Sequence, residues 1–98
     1  MTKKVYVLND GGLDYSDAEQ FGNIVICSTG ALGRWDTSHM LRIIEDELAD
    51  AQEDDFLVVN GLTAFVAVAT GYMASRYGRV NFLMWKDGKY IERTTLFT

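Results

Sequence analysis

Apolar residues along this chain fall either in short continuous runs or at helical spacing, and the two kinds of segment alternate. Lys4-Val5-Tyr6-Val7-Leu8 is a β-rich run, and Asn9-Asp10-Gly11-Gly12 after it is a strong turn signal. Ser16-Asp17-Ala18-Glu19 has the spacing of a capping box, which predicts a short helix with Gly22 as its stop. Asn23 to Ser28 holds the unbroken run Ile24-Val25-Ile26-Cys27, the pattern of a strand buried on both faces. Asp36 or Thr37 then caps a helix reaching about Gln52, in which Met40, Ile43, Ile44, Leu48 and Ala51 form one stripe.

Phe56-Leu57-Val58-Val59 predicts another buried strand, beside Ile24–Cys27 at the centre of the sheet. Leu62 to Tyr77 is a second helix, apolar almost all round, with Gly78 as its stop. So apolar a helix should be covered by more than one sheet face. Val80 to Trp85 is a further strand, and Asp87-Gly88 sets up a hairpin that returns Tyr90 to Phe97 antiparallel. The order β-(short α)-β-α-β-α-β-β predicts an α/β fold: a small Rossmann-like, mainly parallel sheet with helices packed on it and a C-terminal antiparallel hairpin strand.

Composition narrows the class. The chain has 98 residues, 48% of them apolar, which is one domain with one core and rules out a disordered chain. A single cysteine, Cys27, excludes a disulfide framework within the chain, and a single histidine, His39, leaves little for an imidazole metal site. No apolar run approaches the roughly 20 residues needed to span a bilayer, and the N-terminal residues lead into a strand instead of a signal peptide. A cytoplasmic protein without a membrane segment is the expectation.

Ligands of open parallel sheets sit beyond the carboxyl ends of the strands. The residues falling there are Asn9 and Asp10, Thr29, Arg34 before the long helix, and Asn60, Gly61 and Thr63 at the start of the second helix. Small polar side chains, glycines and helix N-termini in that position suit a small nucleotide ligand. The same residue types are also what turns require for conformational reasons alone. No phosphate-loop or dinucleotide fingerprint is complete, so the sequence points away from ATP hydrolysis and dinucleotide redox chemistry, and no cofactor is expected. No set of residues reads as catalytic. His39 sits in the first turn of a helix, Cys27 lies inside an apolar run, and Asp10, Asp14 and Asp17 match no calcium-loop spacing.

The stretch Phe56-Leu57-Val58-Val59-Asn60-Gly61-Leu62-Thr63, with an alanine-rich helix, Gly78 and the strand at Val80 after it, resembles CARF-type domains over residues 56–85. The resemblance implies binding of a cyclic oligoadenylate through a turn between strand and helix, with Asn60, Gly61 and Thr63 as the contacts. The chain departs from that family in having one glycine before Leu62 and Ala64 where a lysine is usual. As a whole it is similar in style to small α/β proteins carried by tailed phages.

Charge is unevenly placed. Residues 36–55 hold eight carboxylates against Arg42, and the remainder of the chain is slightly basic, for a net charge of −5. Glu45, Glu47, Asp50, Glu53 and Asp54 make the candidate surface for a host protein with a basic face, or else a merely solvated helix face. The C-terminal third carries Arg76, Arg79, Lys86, Lys89 and Arg93 among Tyr77, Trp85 and Tyr90. Overall acidity argues against nucleic acid as the partner. An acidic helix, a basic hairpin and an unpaired terminal strand together predict a two-fold homodimer, with either the helix Leu62–Tyr77 or the strand Tyr90–Phe97 in the interface. The function expected is that of a small non-enzymatic binding or modulator protein acting through protein–protein contacts, phage-encoded, with nucleotide binding as the alternative.

Overall fold

The computed structural model describes residues 2–97. Five strands form one sheet: β1 (Lys4–Val7), β2 (Asn23–Ile26), β3 (Phe56–Val58), β4 (Arg79–Lys86) and β5 (Lys89–Leu96). Their order across the sheet is β2-β1-β3-β4-β5, parallel except for the antiparallel β4–β5 pair. The fold is α/β, as the alternation of runs predicts. Both α helices, α1 (Thr37–Glu47) and α2 (Thr63–Tyr77), share the core of one face with Tyr6, Leu8, Leu57 and Val80. The other face is covered by Tyr15 and by a 3-10 helix, Ser16–Gln20, whose Ala18 meets Val5, Val7, Phe56, Val58 and Leu83. Strand alternation produces this sorting, since odd and even residues of β1 and β3 serve opposite cores.

Several expectations are corrected. β2 is an edge strand, and β1 separates it from β3, so Ile24–Cys27 and Phe56–Val59 are not adjacent central strands. Only Cys27, just beyond β2, is buried in that run, while Ile26 is exposed. An apolar run reports burial and cannot report neighbours. The capping box does not form either. Tyr15 precedes the 3-10 helix without a side-chain cap, and the Ser16 N–H donates to the Asp14 carboxylate at 2.9 Å. Gly22 owes its identity to a close approach: a Cβ there would stand 2.4 Å from the Lys3 carbonyl oxygen.

α1 opens as predicted, with Asp36 accepting the His39 N–H at 3.1 Å, but closes at Glu47 instead of about Gln52. Asp50, Glu53 and Asp54 therefore lie in the α1–β3 connection. Asp55 leaves the acidic surface altogether: it is 3% exposed, and its two carboxylate oxygens accept the Lys4 N–H at 2.9 Å and the Gln52 N–H at 2.8 Å. Arg76 acts locally as well. Its guanidinium donates to the Leu48 carbonyl at the end of α1 at 3.0 Å and lies over the rings of Tyr72 and Tyr77.

α2 buries Phe65, Ala69 and Met73 and packs beside α1. Its outermost line is Ala67, Gly71 and Ser75, which stay exposed instead of being covered. The hairpin turn places Asp87 and Gly88 at φ 53° and 83°, the pair of positive values that a two-residue primed turn demands. No helix among the described residues is long and apolar enough to cross a membrane.

Candidate functional site

Strand order reverses between β1 and β3, because the chain first steps outward from β1 to β2 and then returns past it to β3 and β4. The carboxyl ends of β1 and β3 consequently open onto the crevice where open α/β sheets hold ligands. Two clefts flank that point, one on each face.

The first cleft, of about 620 Å³, lies on the face of the 3-10 helix. Leu13 and Asp14 come from the loop after β1, Asp17 from the 3-10 helix, Asn60 from the end of β3, and Trp85 and Tyr90 from the hairpin. Trp85 and Tyr90 are directly opposed across β4 and β5, with ring centroids 4.9 Å apart in an edge-to-face arrangement. That contact holds the Trp85 indole against the strand pair while leaving 56% of the residue exposed; Leu13 opposite is 60% exposed. The polar lining is rich in acceptors. Asp14 is held below the ordinary carboxylate range by the Ser16 backbone N–H and hydroxyl. Burial pushes the Tyr90 hydroxyl up, and Tyr15, Asp17 and Asp14 act in the same direction. The Asn60 amide donates to the Tyr15 hydroxyl at 3.1 Å, while its own oxygen has no partner.

The second cleft, of about 520 Å³, lies on the helical face. It brings together three residues singled out in the sequence, Arg34, Gly61 and Thr63, with Trp35 and Leu62. Thr63 opens α2, and Leu62 before it supplies no side-chain cap. Unbonded N–H groups of that first turn therefore face the cleft beside a guanidinium, an arrangement suited to an anion.

Asn9, Asp10 and Thr29 serve the chain itself. Asn9 donates to the Gly30 carbonyl at 3.0 Å and accepts from the Ser28 hydroxyl at 2.8 Å, and the Asp10 N–H donates to the Ser28 carbonyl at 2.9 Å. Asp10 and Thr29 form an isolated parallel bridge that continues the β1–β2 pairing. The candidate ligand residues thus divide: Asn60 lines one cleft, three line the other, and three brace the strand ends between them. Glu45, Glu47, Asp50, Glu53 and Asp54 are all exposed, away from both clefts.

Leu13 and Trp85 are among the lining residues that sequence reasoning missed as members of a site. Period-two alternation places Trp85 on one face of a strand, but only the loop after β1 makes that face a cleft. Among the described residues no group of three or more metal-ligating side chains comes together. Cys27 is buried, and its thiol is pushed up to about 12 by that burial and by Glu47, which removes it as a nucleophile near neutral pH.

No curated protein and no solved structure matches the chain. A family described as Phage Pam3 gp32-like protein matches residues 3–95, nearly the full length. The chain belongs to the Phage Pam3 gp32-like protein family.

Proposed function

We propose that this chain is a small, phage-encoded, non-enzymatic binding protein that works by contact with another protein, and that the cleft between Leu13 and Trp85 is where the partner docks. The observation that carries this reading is the exposure of those two large apolar side chains, from different elements, in the lining of one cleft at the switch point of the sheet. Apolar side chains rimmed by polar groups mark interaction sites, and tryptophan is enriched among the anchors of protein interfaces. The carboxylates of Asp14 and Asp17 favour a partner with a basic surface, in line with the exposed acidic residues from Glu45 to Asp54. The family's phage name supports the phage-encoded origin.

The test is affinity capture from a lysate of the bacterial host with the wild-type chain, Trp85→Ala and Ala67→Glu. A captured protein that Trp85→Ala loses at least tenfold, and that Ala67→Glu on the exposed line of α2 retains, supports the reading. Equal capture by all three chains removes it.

The second cleft favours an alternative of another kind. Arg34, Gly61 and Thr63 at the uncapped start of α2 suit a small nucleotide ligand, the cyclic oligoadenylates of the CARF-type resemblance included. A nucleotide that raises the melting temperature of the wild type, and does so less with Thr63→Ala, supports it. No shift with mono-, di- or cyclic nucleotides at millimolar concentration rules it out.

A further inference from the structure

The two edges of the sheet differ. β2 has four residues, whereas β5 has eight, and among the described residues no strand pairs with the outer edge of β5. In a hairpin closed by a two-residue turn, Lys86 and Lys89 form a hydrogen-bonded pair, so every second residue of β5 bonds inward to β4. The Phe97 N–H, which donates to the Gly78 carbonyl at 2.8 Å, keeps this alternation to the end of the strand. Tyr90, Glu92, Thr94 and Leu96 therefore direct their N–H and C=O groups away from the sheet. The first of these is taken: the Tyr90 N–H donates to the Asp17 carboxylate at 2.7 Å. Further along, the Glu92 carbonyl accepts from the exposed Arg93 guanidinium at 2.7 Å, and the edge open to another strand is the C-terminal half of β5.

That half is also where apolar side chains collect, with Leu96 70% and Phe97 51% exposed. By contrast, the exposed line of α2 is Ala67, Gly71 and Ser75, with little apolar surface to bury.

We propose that β5 is the dimerisation strand of this protein, pairing antiparallel with β5 of a second copy across a two-fold axis at Thr94. Charge excludes two registers, and the outward backbone groups of residues 92, 94 and 96 select among the rest. Antiparallel pairing about an axis normal to the sheet keeps each face continuous, so facing residues must share a face. Centring on Glu92 opposes two carboxylates and centring on Arg93 opposes two guanidinium groups, both unfavourable. Centring on Thr94 sets Glu92 against Leu96, Arg93 against Thr95 and Ile91 against Phe97, with no like charges opposed. It joins the outward backbone groups of Glu92, Thr94 and Leu96, with the exposed Arg93 side chain giving up the Glu92 carbonyl to the partner strand, and covers the exposed Phe97. It also leaves the Tyr90–Asp17 bond intact. The two sheets become one continuous sheet through the dyad.

The experiment is sedimentation equilibrium of the full chain at micromolar concentration and moderate salt. The expected mass is twice the 11.0 kDa of one chain. Thr94→Pro deletes an N–H that faces the partner and keeps the backbone bonds to β4, though it loses the Thr94 hydroxyl that donates to Asn81 of β4 at 2.7 Å, so it should halve the mass while circular dichroism shows the sheet retained. A second variant reads the register whatever Thr94→Pro does to folding. Residues facing each other in a hydrogen-bonded pair have Cα atoms about 5.5 Å apart, within reach of a disulfide. Thr94→Cys should then crosslink under mild oxidation, and Leu96→Cys, which faces Glu92 of the other copy, should not. A wild-type mass near that of one chain, a folded Thr94→Pro dimer, or a Thr94→Cys chain that does not crosslink overturns the proposal.

Discussion

Asp17 and Tyr90, 73 residues apart, are joined by a hydrogen bond of 2.7 Å from the Tyr90 N–H to the Asp17 carboxylate. The bond ties the 3-10 helix to the first outward-facing position on the edge of β5, and both residues line the first cleft. It gives the loop side of the molecule a fixed position against the hairpin. Asp17→Ala should cost about 1.5–3 kcal/mol, the range for a hydrogen bond to a charged acceptor, with Asp17→Asn between it and the wild type. Urea unfolding measures this. An unchanged midpoint for Asp17→Ala would show that this bond contributes nothing to stability.

Asp55 is the buried acceptor on which two segments converge. Asp55→Ala leaves the N–H groups of Lys4 and Gln52 without their partner, at about 1–3 kcal/mol for each group that stays dry. The variant should therefore be among the most destabilised single changes outside the apolar core. Replacing the neighbouring exposed Asp54 by Ala should stay within about 0.5 kcal/mol. Equal effects at the two positions would contradict the assignment.

Two glycines should respond in opposite directions. A methyl group at Gly22 meets the Lys3 backbone at 2.4 Å, and overpacking of this kind costs about 1–3 kcal/mol. Gly71, inside α2, has nothing within 4 Å of an added Cβ, so Gly71→Ala should stabilise by about 0.5–1 kcal/mol through helix propensity. Thermal melts of the two variants give the signs directly.

Cys27 makes stability fall in alkali. Its thiol titrates near 9.0 when unfolded and is pushed up to about 12 in the fold, chiefly by burial. Between those values the unfolded chain holds fewer protons than the folded one, so stability decreases as pH rises. The contribution is whole below pH 9.0 and is lost as pH climbs through about 12, with a slope of at most about 1.4 kcal/mol per pH unit. Burial also raises the Tyr6 hydroxyl, which adds a loss of the same sign. Cys27→Ala should show a shallower alkaline slope than the wild type. Identical slopes from pH 9 to 11 would refute the thiol's part.

What the sequence by itself determined was the alternation of elements. Short apolar runs, helical stripes and the Asp87-Gly88 turn are local signals, because strand and helix periods and positive-φ turns are set by neighbouring residues. The strands, both α helices, the antiparallel hairpin and the Asp36 cap follow from them. Order in the sheet does not, since a run such as Ile24–Cys27 looks alike at an edge and at the centre. Placing β1 between β2 and β3 decided that Ile26 is exposed, and it decided where the switch point lies. The site divides in the same way. The strand-end residues were legible because ligands of parallel sheets collect there, but which of them face a cleft depended on long-range contacts. Asn9, Asp10 and Thr29 brace β1 against the end of β2, while Arg34 meets Thr63 across one cleft. Trp85 acquired its place in the other only because the loop carrying Leu13 and the 3-10 helix carrying Asp17 close against the β4–β5 hairpin. Asp55, one of a run of identical carboxylates, was separated from Asp54 solely by the two backbone N–H groups that the tertiary fold brings to it.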